Sequence, residues 1–428
     1  MTIEDYPTVI ATVGGEGIRL FPLTLNQPKP LVDMCNRAII ARMFEPLVKQ
    51  GCRRIIIASK GEENTSHLNK YFKAGAGFFT RLKIEEWEEI EYQPNYSDMG
   101  NADAVRYCME YYGIDDEVLV VSGDNVVDID IEKLVNLHEE KNALLTVGLK
   151  ELEPNEDVSQ FGVARVAEDM RLSGFVEKPN PGEEPSRLIN TSIYLFSPEI
   201  RDVFGEMGDQ VKDIGHDVIP YLTENGYPVY GYMIKGYWAD VGTPERFWKT
   251  TMDILHQRLP NIRLEHEVRK GIWIHPTTYK RNDGLKGVEI KGNAIIDRSC
   301  TIGEDVKIED SCIGHTCVIG DGVTIKESIV MDFADIRAGV YLNKCIVGRH
   351  ATVEEGSRID ADLSVEFGGE LMDKIPVVGG GELTIFRNSV IGPGKRAAPL
   401  RHSHRILSCG IYRELGMDDA NVYFIEKI

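Results

Sequence analysis

Between residues 14 and 31 the chain reads Gly14-Gly15-Glu16-Gly17-Ile18-Arg19-Leu20, then Pro22-Leu23-Thr24 and Pro28-Lys29-Pro30. Glycines directly after an apolar run carry no side chain to screen the backbone N–H groups, so phosphate oxygens can approach them closely. Arg19 and Lys29 add the fixed positive charge that a triphosphate requires in an acidic protein. The stretch is neither G-x-G-x-x-G nor a P-loop, and taken alone such a loop serves equally well as a structural turn. A second place for chemistry is Ser122-Gly123-Asp124, which comes after another short apolar run.

The elements that must hold these residues alternate. Apolar runs at 8–13, 53–58, 118–121 and 144–148 read as strands, and apolar residues recur at helical spacing over 38–49, 102–111 and 131–140. That alternation predicts an α/β domain with a Rossmann-like, mostly parallel sheet. Ligands of such sheets sit beyond the carboxyl ends of the strands, which is where the loops after Val13 and Val121 lie. Thr243 and Pro244 suit the cap and first position of a helix running to about residue 258. Residues 259–287 read as a connector.

From Ile290 the period changes to six. Large apolar residues fall at Ile290, Ile296, Ile302 and Ile308, at Ile313, Ile319, Ile325 and Met331, and, after a one-residue slip, at Ile336, Leu342, Val347, Val353 and Ile359. Small or β-branched residues stand four places later, among them Ala294, Cys300, Cys312, Cys317 and Val323. A strand and corner repeated every six residues is a β-solenoid that stacks one side chain per repeat into a column. Its cysteines read as packing residues, since a free thiol behaves as a small hydrophobe. The divisions expected are a catalytic domain over 1–258, the connector 259–287, a hexapeptide-repeat solenoid over 288–362 and a capping segment over 363–428.

Composition narrows the partners. Of 428 residues, 48 are Lys or Arg and 68 are Asp or Glu, for a formal net charge of −20. Such a surface repels nucleic acid and anionic membranes. No apolar run reaches the roughly 18 residues of a membrane span, and the first residues lack the basic start and cleavage site of a secretory signal. The eight cysteines include no C-x-x-C pair. A cytoplasmic protein is expected.

Taken whole, the opening resembles the signature of the sugar-1-phosphate nucleotidyltransferases, G-G-x-G-[TS]-R-L-x-P-L-T followed by P-K-P. Phe175-Val176-Glu177-Lys178-Pro179 is similar to that family's F-x-E-K-P, Asn190 to Tyr194 to its N-x-G-I-Y, and Tyr237 to Thr243 to its Y-W-x-D-V-G-T. The solenoid resembles the left-handed parallel β-helix that many members carry. Ala102-Asp103-Ala104-Val105 after Gly100, the run Asp213 to Pro220, and Trp248 with Met252-Asp253 look most like glucose-1-phosphate adenylyltransferases. Asn26-Gln27-Pro28-Lys29-Pro30-Leu31-Val32 is closer to guanylyl- and thymidylyltransferases.

The resemblance implies Mg2+-dependent transfer of a nucleotidyl group from a nucleoside triphosphate to a sugar 1-phosphate. It implies Asp124 and Asp240 as metal ligands, with Arg19, Lys29 and Lys178 completing the catalytic set. Gly14, Gly15, Gly17, Gln93, Gly100 and Asn101 would line the nucleotide, and Gly123, Glu177, Lys178, Asn190 and Ser192 the sugar phosphate. Asp103 reads as a helix-start acid and Trp238 as packing. Ile18, Asn101 and Ser192 depart from the family's Thr or Ser, Thr and Gly. Those departures motivate an alternative, a non-catalytic regulatory paralogue, although Arg19, Lys29, Asp124 and Asp240 are all present. Guanylyl-, thymidylyl- or uridylyl transfer to another hexose-like phosphate is a further alternative. A third is acyl transfer on the solenoid with His315, His350 or His402 as base. A homo-oligomer is expected, because solenoid edges commonly mediate assembly.

Overall fold

The computed structural model describes residues 6–407 apart from 16, 26, 95–97, 155, 363–374, 380–382, 386–389, 392–395, 398–399 and 403–404. Glu16 and Asn26 of the signature, Gly380-Gly381, Gly392-Pro393-Gly394, and Ser403-His404 lie outside the described residues, as does everything after 407. The chain forms two compact units, one of residues 1–15 and 40–240, the other of 16–39 and 241–428.

The first unit is built on a sheet whose strands are β1 (Thr8–Val13), β2 (Ile55–Ser59), β3 (Ile90–Tyr92), β4 (Val118–Ser122), β6 (Leu145–Glu151), β7 (Gly162–Val166), β8 (Leu172–Glu177), β9 (Leu188–Phe196) and β10 (Val229–Met233). Two short strands, β5 (Asn125–Val127) and β11 (Trp238–Asp240), pair with each other outside it. The helices are α1 (Ile39–Gln50), α2 (Glu62–Phe72), α3 (Ala76–Leu82), α4 (Asn101–Tyr111), α5 (Ile131–Glu140), α6 (Ile200–Met207) and α7 (Ile219–Glu224). The sheet order is β10-β6-β9-β4-β1-β2-β3, with β7 on β9 and β8 on β7. β3, β2, β1 and β4 run parallel, and β9 is antiparallel to both β4 and β6.

The central strands are apolar on both faces. Val9, Ile10, Ala11, Leu119, Val120 and Val121 are all buried, the pattern of a parallel sheet sealed from water. Val105, Cys108 and Met109 of α4 join Ile10, Ile56 and Val118 in one cluster. The carboxyl ends of β1, β2, β3 and β4 therefore share one edge, and Gly14, Gln93 and Gly123 begin the loops leaving it.

The second unit holds two short 3₁₀ turns, Ile18–Leu20 and Lys29–Leu31, then α8 (Pro244–Leu255), α9 (Pro276–Arg281) and the solenoid. Thr243 caps α8 by accepting from the Arg246 N–H, as its place in sequence predicts. The stretch 259–287 contains α9 and two strands, Glu267–Arg269 and Ile272–Ile274.

Three columns of apolar side chains fill the solenoid. One is Ile290, Ile308, Ile325, Leu342, Ile359 and Ile391; the second Ile296, Ile313, Val330, Val347 and Val378; the third Ile302, Ile319, Ile336, Val353 and Ile385. The columns thus continue past residue 362, through Val378, Ile385 and Ile391. Met331, read as a repeat position, lies outside this core; Val330 takes its place.

The cysteines show how the one-residue slip works. Cys300, Cys317 and Cys345 lie in the solenoid core, but Cys312 does not. The small interior position precedes each column residue by two. Counting four places forward from Ile308 overshoots it, because the next column residue, Ile313, comes after five rather than six. One residue reverses the facing of a strand side chain, so Ser311, Ser328 and Cys345 occupy that interior site, fully buried. Cys312 instead lies 3.6 Å, Sγ to Sγ, from Cys35 of the same unit. Among the described residues no helix is long and apolar enough to cross a membrane.

Candidate active site

Of the two predicted metal carboxylates, Asp124 lies in the turn between β4 and β5 and Asp240 ends β11. β4 ends at Ser122; Gly123 comes next, where a Cβ would lie 2.8 Å from the Val13 side chain, so only glycine fits without displacement. Ser122 Oγ donates to Asp124 Oδ1 at 2.5 Å. The chain then enters β5, which pairs antiparallel with β11, and the register sets Asn125 opposite Asp240. Asp124, in the turn before β5, is thereby one residue from the register partner of Asp240, 116 positions further along the sequence, and both are half-buried. Gly236 permits that pairing, because a Cβ there would fall 2.1 Å from the Asp128 carbonyl oxygen. Two carboxylates at one place suit a hard cation whose remaining ligands are water and phosphate. Among the described residues no group of three or more His, Cys, Asp or Glu is arranged to hold a metal by itself.

The Thr191 carbonyl ties this corner to the residues expected at the sugar phosphate. It accepts from Asn125 Nδ2 at 2.9 Å and from Trp238 Nε1 at 3.2 Å. Trp238 also packs edge-on against Phe161, the packing role expected of it. On either side of Thr191, Asn190 Oδ1 accepts from the Ser192 N–H at 3.0 Å, and Asn190 Nδ2 donates to the Tyr194 hydroxyl at 2.7 Å. Ser192 has φ of 59°, a left-handed conformation in an irregular stretch of the β6–β9 pairing. The glycine found there in the family is thus explained by backbone geometry; serine holds the same turn at some strain.

Glu177 ends β8 opposite Gly162. Its carboxylate fits where Cβ atoms would otherwise crowd it, 2.5 Å from one on Gly162 and 2.9 Å from one on Gly215. Burial raises its pKa above the usual carboxylate range, while the Lys178 ammonium, 3.4 Å away, opposes the shift and Asp213 adds to it. Lys178 itself is left-handed, φ 46°, with its N–H on the Phe161 carbonyl and its side chain 67% exposed. Buried Tyr194 has its hydroxyl pKa raised by that burial, so at neutral pH it stays a phenol.

Among the residues expected at the nucleotide, Gln93 is buried just beyond β3, donating from its amide to Asp98 Oδ2 at 2.9 Å. Gly100 precedes α4 where a Cβ would sit 2.3 Å from the Lys212 carbonyl oxygen. Asn101 turns its side chain to the segment after Lys212, accepting from the Ile214 N–H and donating to Asp213. Asp103 accepts from the Met99 N–H and pairs with Arg106, the helix-start role read from sequence.

Gly14 and Gly15 belong to the first unit, Gly17, Arg19 and Lys29 to the second. Gly17 has φ of 64°, its carbonyl accepts from Thr24 Oγ1 at 3.0 Å, and a Cβ there would lie 2.9 Å from Thr24. Arg19 and Ile18 are exposed, whereas Lys29 is buried. Ile18, 40% exposed, has no packing role that explains an apolar residue there. Of the solenoid histidines, His315 pairs with Asp332 at 3.1 Å and His350 stacks on Phe333.

Sequence reasoning missed Asn125, Thr191, Asp213, Gly162 and Gly236, which position the named residues. Thr191 and Asp213 lay inside recognised motifs and Gly236 beside one; Asn125 and Gly162 act through contacts remote in sequence.

Comparison with known proteins accords with this geometry. The family model described as Nucleotidyl transferase matches residues 8–257, and the EIF2B subunit epsilon LbH domain, a left-handed β-helix, matches 277–377. The chain is 29% identical to a UTP–glucose-1-phosphate uridylyltransferase of Synechocystis over 70% of this chain and 80% of that protein. It is 31% identical to a glucose-1-phosphate adenylyltransferase of Shewanella amazonensis, covering 64% of this chain and 69% of that one. It is 29% identical to the mannose-1-phosphate guanylyltransferase catalytic subunit beta of Drosophila pseudoobscura pseudoobscura, over 72% and 73%. The chain belongs to the sugar-1-phosphate nucleotidyltransferase family.

Proposed function

We propose that the protein transfers a nucleotidyl group from a nucleoside triphosphate to a hexose 1-phosphate, releasing pyrophosphate, with adenylyl transfer to glucose 1-phosphate as the first assignment. The observation that supports it is the β5–β11 register, which pairs Asp240 with Asn125, the residue after Asp124. Glu177 and Asn190 lie on strands β8 and β9 of the sheet that contains β4, and Lys178 follows Glu177 directly.

The sugar phosphate attacks the α-phosphorus in line with the departing pyrophosphate, so positioning and charge neutralisation do most of the work. The attacking phosphate is ionised near neutral pH and needs no general base. Asp124 and Asp240 would hold Mg2+, which supplies charge neutralisation on phosphate oxygens. Lys178 draws in the sugar phosphate, and Glu177 and Asn190 orient hydroxyls. Gly14, Gly15 and Gly17 offer backbone N–H groups to phosphates. Arg19 steadies the pyrophosphate and Lys29 the α-phosphate. Gln93 reads the base, with Gly100 at its edge; Gly123 and Ser192 keep the backbone close to the sugar. We assign the protein to the cytoplasm from its acidic composition, and to a homo-oligomer because a solenoid ends in strands open to pairing.

Pyrophosphate release with Mg2+, glucose 1-phosphate or mannose 1-phosphate, and ATP, GTP, UTP, CTP or dTTP in turn tests this. ATP with glucose 1-phosphate is expected to dominate. A dominant UTP or GTP would move the base assignment, and silence with every pair would favour the regulatory paralogue.

A further inference from the structure

The departure at residue 101 has a geometric content of its own. A threonine, which the family pattern places there, offers one hydroxyl on a short stem. Asn101 offers two atoms on a longer one and uses both: Oδ1 accepts from the Ile214 N–H at 2.8 Å, and Nδ2 donates to Asp213 Oδ2 at 3.0 Å. The neighbouring backbone adds a third tie, Ala102 N–H to the Lys212 carbonyl at 2.9 Å, and Gly100 fits against that same carbonyl with no room for a Cβ. The start of α4 is thus fastened to residues 212–214, over a hundred positions away.

Beyond Ile214 the chain turns to the sugar side. Asp213 uses its other oxygen to cap the turn Ile214–Val218, accepting from the His216 N–H at 2.8 Å, and its own N–H donates to Asp217 Oδ2 at 2.8 Å. Gly215 in that turn lies so near Glu177 that an added Cβ would be 2.9 Å from Oε2. Asp213 also acts electrostatically on both Glu177 and Tyr194. The Glu177 carboxylate is therefore set between Gly162 and a turn whose first residues Asn101 holds.

We propose that Asn101 is a positioning residue for the hexose-phosphate half of the site, acting through the Asp213–Gly215 turn on Glu177 rather than by reading the base. The inference rests on the transferase reading and sharpens it: position 101 governs affinity for the sugar phosphate, although it stands in the nucleotide-side segment.

Asn101→Ala and Asn101→Thr, compared with the wild type, decide it. In Asn101→Ala the KM for the sugar 1-phosphate is expected to rise about tenfold or more while that for the triphosphate stays within about twofold. Asn101→Thr, which keeps one of the two hydrogen bonds, should fall between. Combining Asn101→Ala with Glu177→Gln should add little to the effect of Glu177→Gln on that KM, since the two act along one line. Amides of 212–219 should exchange faster in Asn101→Ala, a readout independent of turnover. A change confined to the triphosphate KM, equal changes in both, or unchanged exchange at 212–219 would overturn the proposal. A wild type silent with every substrate pair would instead overturn the transferase reading, with the exchange result still judging the fastening.

Discussion

The two units solve the placing of side chains in opposite ways. In the solenoid a residue's role is set by its number: Ile308, Ile325, Leu342 and Ile359 succeed one another at intervals of 17 and occupy equivalent places in successive coils. In the sheet unit no interval predicts anything about Asp124 and Asp240; they meet because β5 and β11, three residues each, happen to pair. A repeat spreads stability over many interchangeable contacts, whereas a site concentrates function in a few contacts that cannot be exchanged. Desolvation shifts groups in both units: it and the Asp332 charge push the Asp33 carboxyl up to about 7, and it pushes the His138 imidazole down to about 4.

The contrast can be tested first where the repeat is densest. Ile325 is fully buried in its column, and Ile325→Ala should destabilise the solenoid by roughly 2–5 kcal/mol, read by hydrogen exchange of the 308–342 amides. If interchangeability is right, Leu342→Ala costs a similar amount. Costs differing by several kcal/mol would break that half of the comparison.

Legibility in the sequence divides along the same line. β1, β2, β4 and β6 and helices α1, α4 and α5 show their pattern over four or more residues, and the structure has their ends within about three positions of where the pattern stops. Strands of three residues, β3, β5 and β11, are too short to display alternation, so the motif match to Asp240 carried no geometry. The slip at Ile308 to Ile313 was visible as a spacing, but its consequence for Cys312 needed the facing rule applied from the next column residue. The left-handed turns at Lys178 and Ser192 leave no trace in composition, because neither is glycine. The fastening of Asn101 to Asp213 spans 112 positions and no local rule reaches it.

His138 gives the next effect in size. It is buried between the Thr146 and Ser197 hydroxyls, 2.8 Å from each. With the folded pKa near 4 against 6.5 for the free side chain, the unfolded chain binds more protons between those values. Stability from this group is therefore complete above about pH 6.5 and falls by about 3 kcal/mol as pH drops to 4. Denaturation midpoints across pH 4–7 should show that slope, and His138→Gln should flatten it. A slope unchanged in the variant would assign the effect elsewhere.

The smallest effect belongs to the strained turn. Ser192→Gly relieves φ of 59° and should stabilise the sheet unit by at most about 1 kcal/mol, without altering the sugar phosphate KM. A large KM change would mean that the Ser192 hydroxyl, and not only its backbone, meets the substrate.

We propose that Asp124, in the turn before β5, and Asp240, at the end of β11, act as one metal site. The direct measurement is pyrophosphate release against Mg2+ concentration for Asp124→Asn, Asp240→Asn and the double variant. The account predicts a loss of about 10³-fold or more in each single variant and little further loss in the double, because removing either ligand already disables the shared site. Losses that multiply, or a single variant that keeps near-normal turnover and Mg2+ dependence, would contradict it.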